Sequence, residues 1–216
     1  MSLWLTRILL PKCFLESQID GRGTVYSLFK DDYAAHKTSW ELFPNCPNAK
    51  RNFLTRLLLE SDDISFFVLS EIPPHRPVWC PEIFFGTKRV SASFLDHSTY
   101  RFDLFANPTK MTHPERKDTL GKNGKRLALL KEEEQRAWFD RKAVANGFIV
   151  DFDSLRVAKP INRYFYKNGI RGNHIGVRFT GVLSVTDKDL FAKAFSHGIG
   201  TAKGFGFGML MIQPIH

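Results

Sequence analysis

Tyr33 and His36 stand three residues apart in Asp32-Tyr-Ala-Ala-His-Lys37, a spacing that puts both side chains on one face of a helix. An imidazole, with an unperturbed pKa near ~6.5, offers both protonation forms at neutral pH. A phenol one turn away supplies a second proton position. The pair suits a reaction whose nucleophile is already inside the substrate, such as a ribose 2′-hydroxyl beside a phosphodiester. That reaction needs alignment and the management of two protons. Trp40 lies four residues beyond His36, however, and three rings at this spacing also describe a packed helix face. Spacing alone leaves both readings open.

Other chemistry is poorly represented. His75 and His97 fall in predicted loops without a partner, and His113 falls in a basic segment. His174 and His197 border an aromatic segment and a glycine-rich loop, which makes them second candidates. No histidine pairs with a cysteine or carboxylate at metal-ligand spacing, so no metal is expected. Cys13, Cys46 and Cys80 are odd in number and form no C-x-x-C pair, as suits a reducing cytoplasm rather than a disulfide framework. Asp62-Asp63 and Glu132–Glu134 read as a turn and a solvated helix face. No apolar run reaches membrane-span length, and the first residues lack the charged-then-apolar pattern of a signal peptide.

The charge is what points to a partner. Thirty-one Lys and Arg against 22 Asp and Glu give +9, and the excess is clustered. Lys110 to Lys131 carries seven cations (Lys110, Arg116, Lys117, Lys122, Lys125, Arg126, Lys131) against Glu115 and Asp118. Ser154 to Arg171 carries Arg156, Lys159, Arg163, Lys167 and Arg171 with no acid, and encloses Tyr164-Phe-Tyr166. Positive charge beside aromatic faces is what RNA requires for phosphate neutralisation and base stacking. A third feature is Gly198-Ile-Gly-Thr-Ala-Lys-Gly-Phe-Gly-Phe-Gly208, five glycines in eleven residues. It lies between a predicted helix and a predicted strand, the reverse of the strand–loop–helix order of a dinucleotide or Walker site, and Lys203 stands where a third fingerprint glycine would be. What remains is backbone able to approach a sugar–phosphate chain closely, beside one cation. The bland alternative is a flexible loop closing the last strand.

The elements that must position these groups follow from periodicity. In the second half, Tyr100–Phe105 alternates as a strand and a basic loop follows. Leu130–Asn146 reads as a helix stopped by Gly147, and Phe148–Val157 and Ile175–Val185 as strands. Asp187–His197 reads as a helix with a Thr186/Asp189 capping box, and Met209–Ile212 as the last strand. The sum is β-α-β-β-α-β, the ferredoxin-like arrangement. The first half is less regular. Leu3–Leu10 is predicted as a strand, Asp32–Phe43 and Asn48–Glu60 as helices, Ile64–Leu69 as a strand and Phe84–Phe94 as a hairpin. No second helix follows the central strand. The fold class is α+β, with tandem ferredoxin-like (RRM-like) domains at 1–96 and 97–216, the first read as an incomplete or degenerate copy that carries the Tyr33–His36 helix.

Several segments together resemble one family. They are Tyr33-Ala-Ala-His36 leading into Trp40-Glu-Leu-Phe-Pro-Asn45, then Arg51-Asn-Phe-Leu54 and Tyr100-Arg-Phe-Asp-Leu-Phe-Ala-Asn-Pro-Thr-Lys110. Glu134-Gln-Arg-Ala-Trp138, Phe179-Thr-Gly-Val-Leu183 and the glycine loop complete the set. In this order they resemble the CRISPR RNA-processing endoribonucleases of the CasE type, subunits of the type I-E Cascade complex, nearly end to end. One departure is the long Lys12–Asp31 connection ahead of the helix.

The resemblance implies metal-independent, cofactor-free cleavage at the 3′ base of a CRISPR repeat hairpin, leaving a 2′,3′-cyclic phosphate. The active histidine falls on His36, its helper tyrosine on Tyr33 and the lysine of the glycine motif on Lys203. Partners would be the repeat RNA hairpin and other Cascade subunits, with no membrane and no small-molecule cofactor. With the charge reading, the expected RNA contacts are Lys37, Lys110, Arg116, Lys117, Lys122, Lys125, Arg126, Arg156, Lys159, Arg163, Gly200, Lys203, Gly204 and Gly206. A non-catalytic ferredoxin-like RNA-binding subunit would share every basic and aromatic feature; only Tyr33 and His36 separate the two.

Overall fold

Alternation of apolar and polar side chains builds two antiparallel sheets. A computed structural model describes residues 2–19, 23–44, 51–59, 62–112 and 125–215, with the backbone alone at 92 and 125. In the first half, β1 (Trp4–Pro11), β2 (Phe53–Leu59), β3 (Asp63–Ser70) and β4 (Phe85–Arg89) lie in the order β2-β3-β1-β4. Helix α1 (Asp32–Trp40) connects β1 to β2. In the second half, β5 (Thr99–Ala106), β6 (Phe148–Val150), β8 (Ile170–Val185) and β9 (Leu210–Pro214) lie in the order β6-β8-β5-β9. Helices α2 (Glu132–Ala145) and α3 (Lys188–His197) make the crossovers. Both orders are the ferredoxin-like one. The first half has a three-residue 3-10 turn, Glu82–Phe84, before β4 instead of a second α-helix.

Three sequence expectations are corrected. Phe53–Leu59, read as part of a helix over 48–60, is a strand; residues 48–50 and 60 lie outside the described residues. Its cause is two-sided burial. Phe53 packs toward Phe43, Phe66 and Val68 in the core beneath α1, and Leu54 packs toward Leu3, Leu69, Phe195 and Met209 on the opposite face. A strand covered on both faces loses the period-two alternation that would reveal it. Phe84–Phe94 is a single strand followed by a 3-10 turn at Ala92–Leu95, not a hairpin. Helix α3 is capped by Asp187, whose Oδ1 accepts from the backbone N–H of Asp189 and Leu190 at 3.0 Å, rather than through Thr186. The basic loop begins and ends as a small hairpin, Thr109–Thr112 paired with Lys125–Ala128.

Strand β8 is long enough to do two jobs. Val177–Ser184 pair with β5 in the sheet, while Ile170–Gly176 pair with β7 (Ile161–Lys167) in a protruding hairpin. Asn168 and Gly169, with φ of 52° and 77°, close it as a two-residue turn of the kind Asn-Gly favours. The second core gathers Tyr100, Phe102 and Leu104 of β5 under Phe139 of α2 and Phe191 of α3. The opposite face of β5 carries Asp103 and Phe105 toward Arg56 of β2, so the two sheets meet across a seam. Among the described residues no helix is long and apolar enough to cross a membrane.

Candidate active site

Helix α1 starts where it does because Asp31 caps it, its Oδ1 accepting from the N–H of Tyr33 at 2.9 Å and of Ala34 at 2.8 Å. One face consists of small buried residues, Ala34, Ala35, Thr38 and Ser39, which let the backbone settle closely against the first half. Thr38 Oγ1 fixes this docking by donating to the Leu28 carbonyl at 3.1 Å. Tyr33 and His36 are thereby left half-buried on the face turned to the second half, while the half-buried Trp40 packs on Phe53 of the first core at 4.9 Å.

Two elements of the second half complete the site. From the glycine loop, Phe205 lies 6.3 Å from the His36 ring and 6.4 Å from the Tyr33 ring. From the hairpin, Phe165 and His174 pack against Phe205 at 4.6 and 4.8 Å. Tyr33 and His36 are 6.5 Å apart, centroid to centroid. Lys37 Nζ stands 5.3 Å and Lys167 Nζ 5.9 Å from the centre of the Tyr33 ring. The phenol is thus flanked by two ammonium groups.

The imidazole is held as a neutral base. Trp40 Nε1 donates to His36 Nε2 at 3.4 Å, which places the proton of the neutral ring on Nδ1. Burial pushes the His36 pKa below its usual 6.5, and the charges of Arg51 and Lys167 push it further down. Nδ1 is buried and has no hydrogen-bond partner among the described residues. It faces Gly204: a Cβ there would stand 3.8 Å from His36 Cε1 and 3.9 Å from Nδ1. The missing methyl leaves room at that edge of the ring.

The glycines divide by task. Gly208, at φ 85°, sits so close to the Ile199 carbonyl that a Cβ would be 2.5 Å from its oxygen, and Ile199 N–H donates to the Gly208 carbonyl at 2.8 Å. Those two positions close the loop on itself. Gly204 instead borders His36. Lys203, expected to face phosphate, turns the other way: its Nζ donates to the carbonyls of His197 at 2.9 Å and Gly198 at 3.1 Å. A cation on the last carbonyls of α3 is a C-terminal cap. Burial lowers its pKa, with Arg51 and Lys142 adding to the effect.

The hairpin is fastened to α1 by an ion pair between Arg163 and Asp32. Arg163 Nε donates to both carboxylate oxygens, at 3.1 and 3.2 Å, and its terminal nitrogen also binds Oδ1. His174 is the cross-strand partner of Arg163; burial lowers its pKa and Asp32 partly opposes the shift.

Tyr33, His36, Lys37, Gly204 and Arg163 of the expected residues therefore converge on one place. Gly200 packs on Trp138, and Gly206 lies in the same loop. Lys110 pairs with Glu134 of α2 at 2.9 Å, and Arg126 lies opposite Met111 in the small hairpin. Arg156 donates to the backbone carbonyls of Asp153 and Leu155, and Lys159 is exposed. Arg116, Lys117, Lys122 and the Lys125 side chain lie outside the described residues.

Sequence reasoning missed Asp32, Arg51, Lys167, Phe165 and Phe205 as members of the site. Arg51 and Phe205 sat inside the family motifs and Lys167 in the acid-free basic run, so a signal existed for three of them. Tyr164 and Tyr166 are exposed on the hairpin, 45 and 58%, whereas Phe165 between them turns inward to Phe205.

A family model described as CRISPR associated protein matches residues 3–214. The Cascade subunit CasE of Escherichia coli K12 is 30% identical over 189 residues, covering 86% of this chain and 94% of CasE. The chain belongs to this CRISPR-associated family, in its CasE branch. The crystal structure of Cas6e from E. coli K-12 is similar with a TM-score of 0.67 and 26% identity, over 98% of this chain and all of that one. Thermus thermophilus Cse3, bound to an RNA representing a pre-cleavage complex, shares the fold with a TM-score of 0.76 and 21% identity over 99% of this chain and all of that one.

Proposed function

We propose that this protein is an endoribonuclease that processes CRISPR repeat RNA as a subunit of a Cascade complex in the cytoplasm, with His36 and Tyr33 as its catalytic pair. The observation that carries the reading is a half-buried imidazole whose pKa is lowered, beside a phenol, with Lys37, Arg51 and Lys167 close around the two rings. In the proposed step, the 2′-hydroxyl next to the scissile phosphate displaces the long Trp40 N–H contact and gives its proton to His36 Nε2, the nitrogen that carries the lone pair, while Nδ1–H is left to donate toward the phosphate. The 2′-oxygen attacks phosphorus, the bond to the 5′-oxygen breaks, and that oxygen takes a proton at the position marked by the Tyr33 hydroxyl. The products are a 2′,3′-cyclic phosphate and a 5′-hydroxyl. The cations stabilise the charge that accumulates on the phosphoryl oxygens. Because the nucleophile belongs to the substrate, the step requires no metal.

The RNA stem would run over the basic surface that includes Lys110, Arg126, Arg156 and Lys159, giving a log–log salt slope of roughly −4 to −5 for five or six phosphate contacts. The same reading divides the chain at 1–96 and 97–216. Its support is that one sheet ends at Arg89 and the next begins at Thr99.

One observation favours a non-catalytic RNA binder instead: Trp40 occupies Nε2 and Phe205 covers the ring. Labelled repeat RNA incubated in EDTA separates the two readings. Cutting by the native chain, lost in His36→Ala while binding stays within a few-fold, supports the enzyme. Intact but shifted RNA supports the binder. A 2′-deoxy nucleotide at the cut position should bind and stay whole; cutting of that RNA would refute attack by the 2′-hydroxyl.

A further inference from the structure

A pocket opens in the seam between the sheets, with Arg163 in its lining. Its volume is about 310 Å³, and Arg56, Arg178, Lys159 and Arg163 line it together with Phe105 and Ile161. Arg56 is the unusual member. Only 2% of the residue is exposed, which is rare for an arginine unless all its donors are used. One terminal nitrogen donates to Asp103 Oδ1 at 2.9 Å, while the other is buried with no hydrogen-bond partner among the described residues.

The carboxylate available to Arg56 is already shared. Arg178 donates to Asp103 Oδ2 through Nε at 3.1 Å and through its terminal nitrogen at 2.7 Å. Arg163 is committed to Asp32, and Lys159 makes no ion pair among the described residues. Four cations thus face this pocket with one carboxylate lying between two of them. A buried guanidinium without a full set of acceptors is strongly disfavoured, and negative charge placed near it relieves it. Burial lowers the Arg56 pKa to about 10, with Asp103 opposing the shift and Arg178 and Arg163 adding to it. That direction is the one expected of an under-compensated charge. Phe105 forms an apolar wall: it lies under the Arg56 guanidinium at 5.0 Å and over Gly176, where a Cβ would clash with the ring at 2.1 Å. The ring limits water at the site, which strengthens whatever charge pairing occurs there.

We propose that this seam pocket is a phosphate-binding site, separate from the Tyr33–His36 pair, in which the ammonium of Lys159 and the guanidinium of Arg178 hold one phosphate group over the buried, under-compensated charge of Arg56. The phosphate could belong to the backbone of the RNA substrate, a version that rests on the function proposed above, or to a free phosphate compound; the chemistry of recognition is the same. An RNA phosphate held here would fix how the strand leaves the cleavage site.

The test uses the full chain and two probes. Side-chain N–H signals of Arg56 and Arg178 are followed by NMR during titration with inorganic phosphate at constant ionic strength set by chloride. The expected result is a saturable shift of both signals, with the apparent Kd raised about tenfold in Lys159→Ala, the effect of losing one charge-assisted hydrogen bond. Lys159 is exposed, so this variant should fold; Arg56→Met is added and its fold checked by circular dichroism. A repeat hairpin with a 2′-deoxy nucleotide at the cut site is then titrated against the phosphate-saturated protein. Displacement of phosphate assigns the site to the RNA backbone, and simultaneous binding assigns it to a free phosphate compound. Phosphate binding without any RNA binding leaves the site standing and removes the nuclease reading. If neither phosphate nor RNA moves the two arginine signals, or if Lys159→Ala binds phosphate as tightly as the native chain, the proposal is overturned.

Discussion

Neutrality of His36 at pH 7 follows from three neighbours acting in one direction: burial, the charges of Arg51 and Lys167, and a tryptophan N–H that requires a lone pair on Nε2. A general base works only when unprotonated, so the acidic limb of the cleavage profile should lie below pH 6.5. Arg51→Ala removes one repulsive charge and should move that limb upward toward 6.5, as read from single-turnover rates between pH 5 and 8. The linkage to folding has a matching sign. The unfolded chain protonates His36 near 6.5 and the folded chain resists, so the unfolded state binds more protons and stability falls as pH drops through that window. Denaturant midpoints of the native chain should therefore decline below pH 6.5 more than those of His36→Ala. Gly204 gives a sharper residue-scale test. Its added methyl would make ordinary contacts, 3.8 Å to His36 and 4.0 Å to Arg51, so Gly204→Ala should fold with an unchanged Tm. The methyl would nevertheless fill the room beside Nδ1, and cleavage should fall at least about tenfold. A Gly204→Ala protein that cuts at the native rate would show that the substrate does not use that edge of the ring.

At the scale of elements, the site is the meeting of α1, the β7–β8 hairpin and the glycine loop, and the Asp32–Arg163 ion pair is what fastens the first two. Asp32 has 4% of its side chain exposed and Arg163 has 20%. Removing one partner of such a pair costs more than the pair contributes, because the other charge stays buried. Asp32→Asn should thus destabilise by about 3 kcal/mol and slow cleavage more than it weakens RNA binding. Arg163→Gln should do the same, and the double variant should cost clearly less than the two added together; additivity in denaturant midpoints would mean the contact does not exist in solution. Nothing in the sequence announced this clasp. Its partners are 131 positions apart, and Arg163 looks like any cation in an acid-free run. What could be read were elements with one wet face: β5, whose residues alternate between core and seam, the capped α1, and α2 with its Glu-rich first turn. The Asn168-Gly169 turn was legible for a different reason, since few dipeptides take two consecutive positive φ values. Strand β2 was not legible because both of its faces are dry. Phe205 was hidden among glycines whose common pattern obscured that Gly208 closes the loop while Gly204 lies against His36.

Across the whole molecule, catalysis depends on how the two sheets are held together, because α1 belongs to one half and the residues covering it to the other. The seam is built largely by an apolar cluster in which Leu3, Leu54 and Leu69 of the first half meet Phe195 and Met209 of the second. Leu54 is the residue through which that packing reaches the site. It is 2% exposed, and Gly198 at the start of the glycine loop lies so near that a Cβ there would approach both Leu54 methyls at about 2.9–3.0 Å. Leu54→Ala should cost about 3 kcal/mol for lost burial and the cavity left behind, a fall in Tm of roughly 6–12 °C at this chain length. It should also free the glycine loop and so slow cleavage far below the melting temperature. Leu183→Ala is the control, since Leu183 is fully buried in the second core, on the β8 segment paired with β5 and β6. It should lower Tm by a similar amount and leave the rate near native at 25 °C. Equal losses of rate in the two variants would mean that the seam contributes only stability, and the alignment of Phe205 and Gly204 over His36 would have to come from the loop alone.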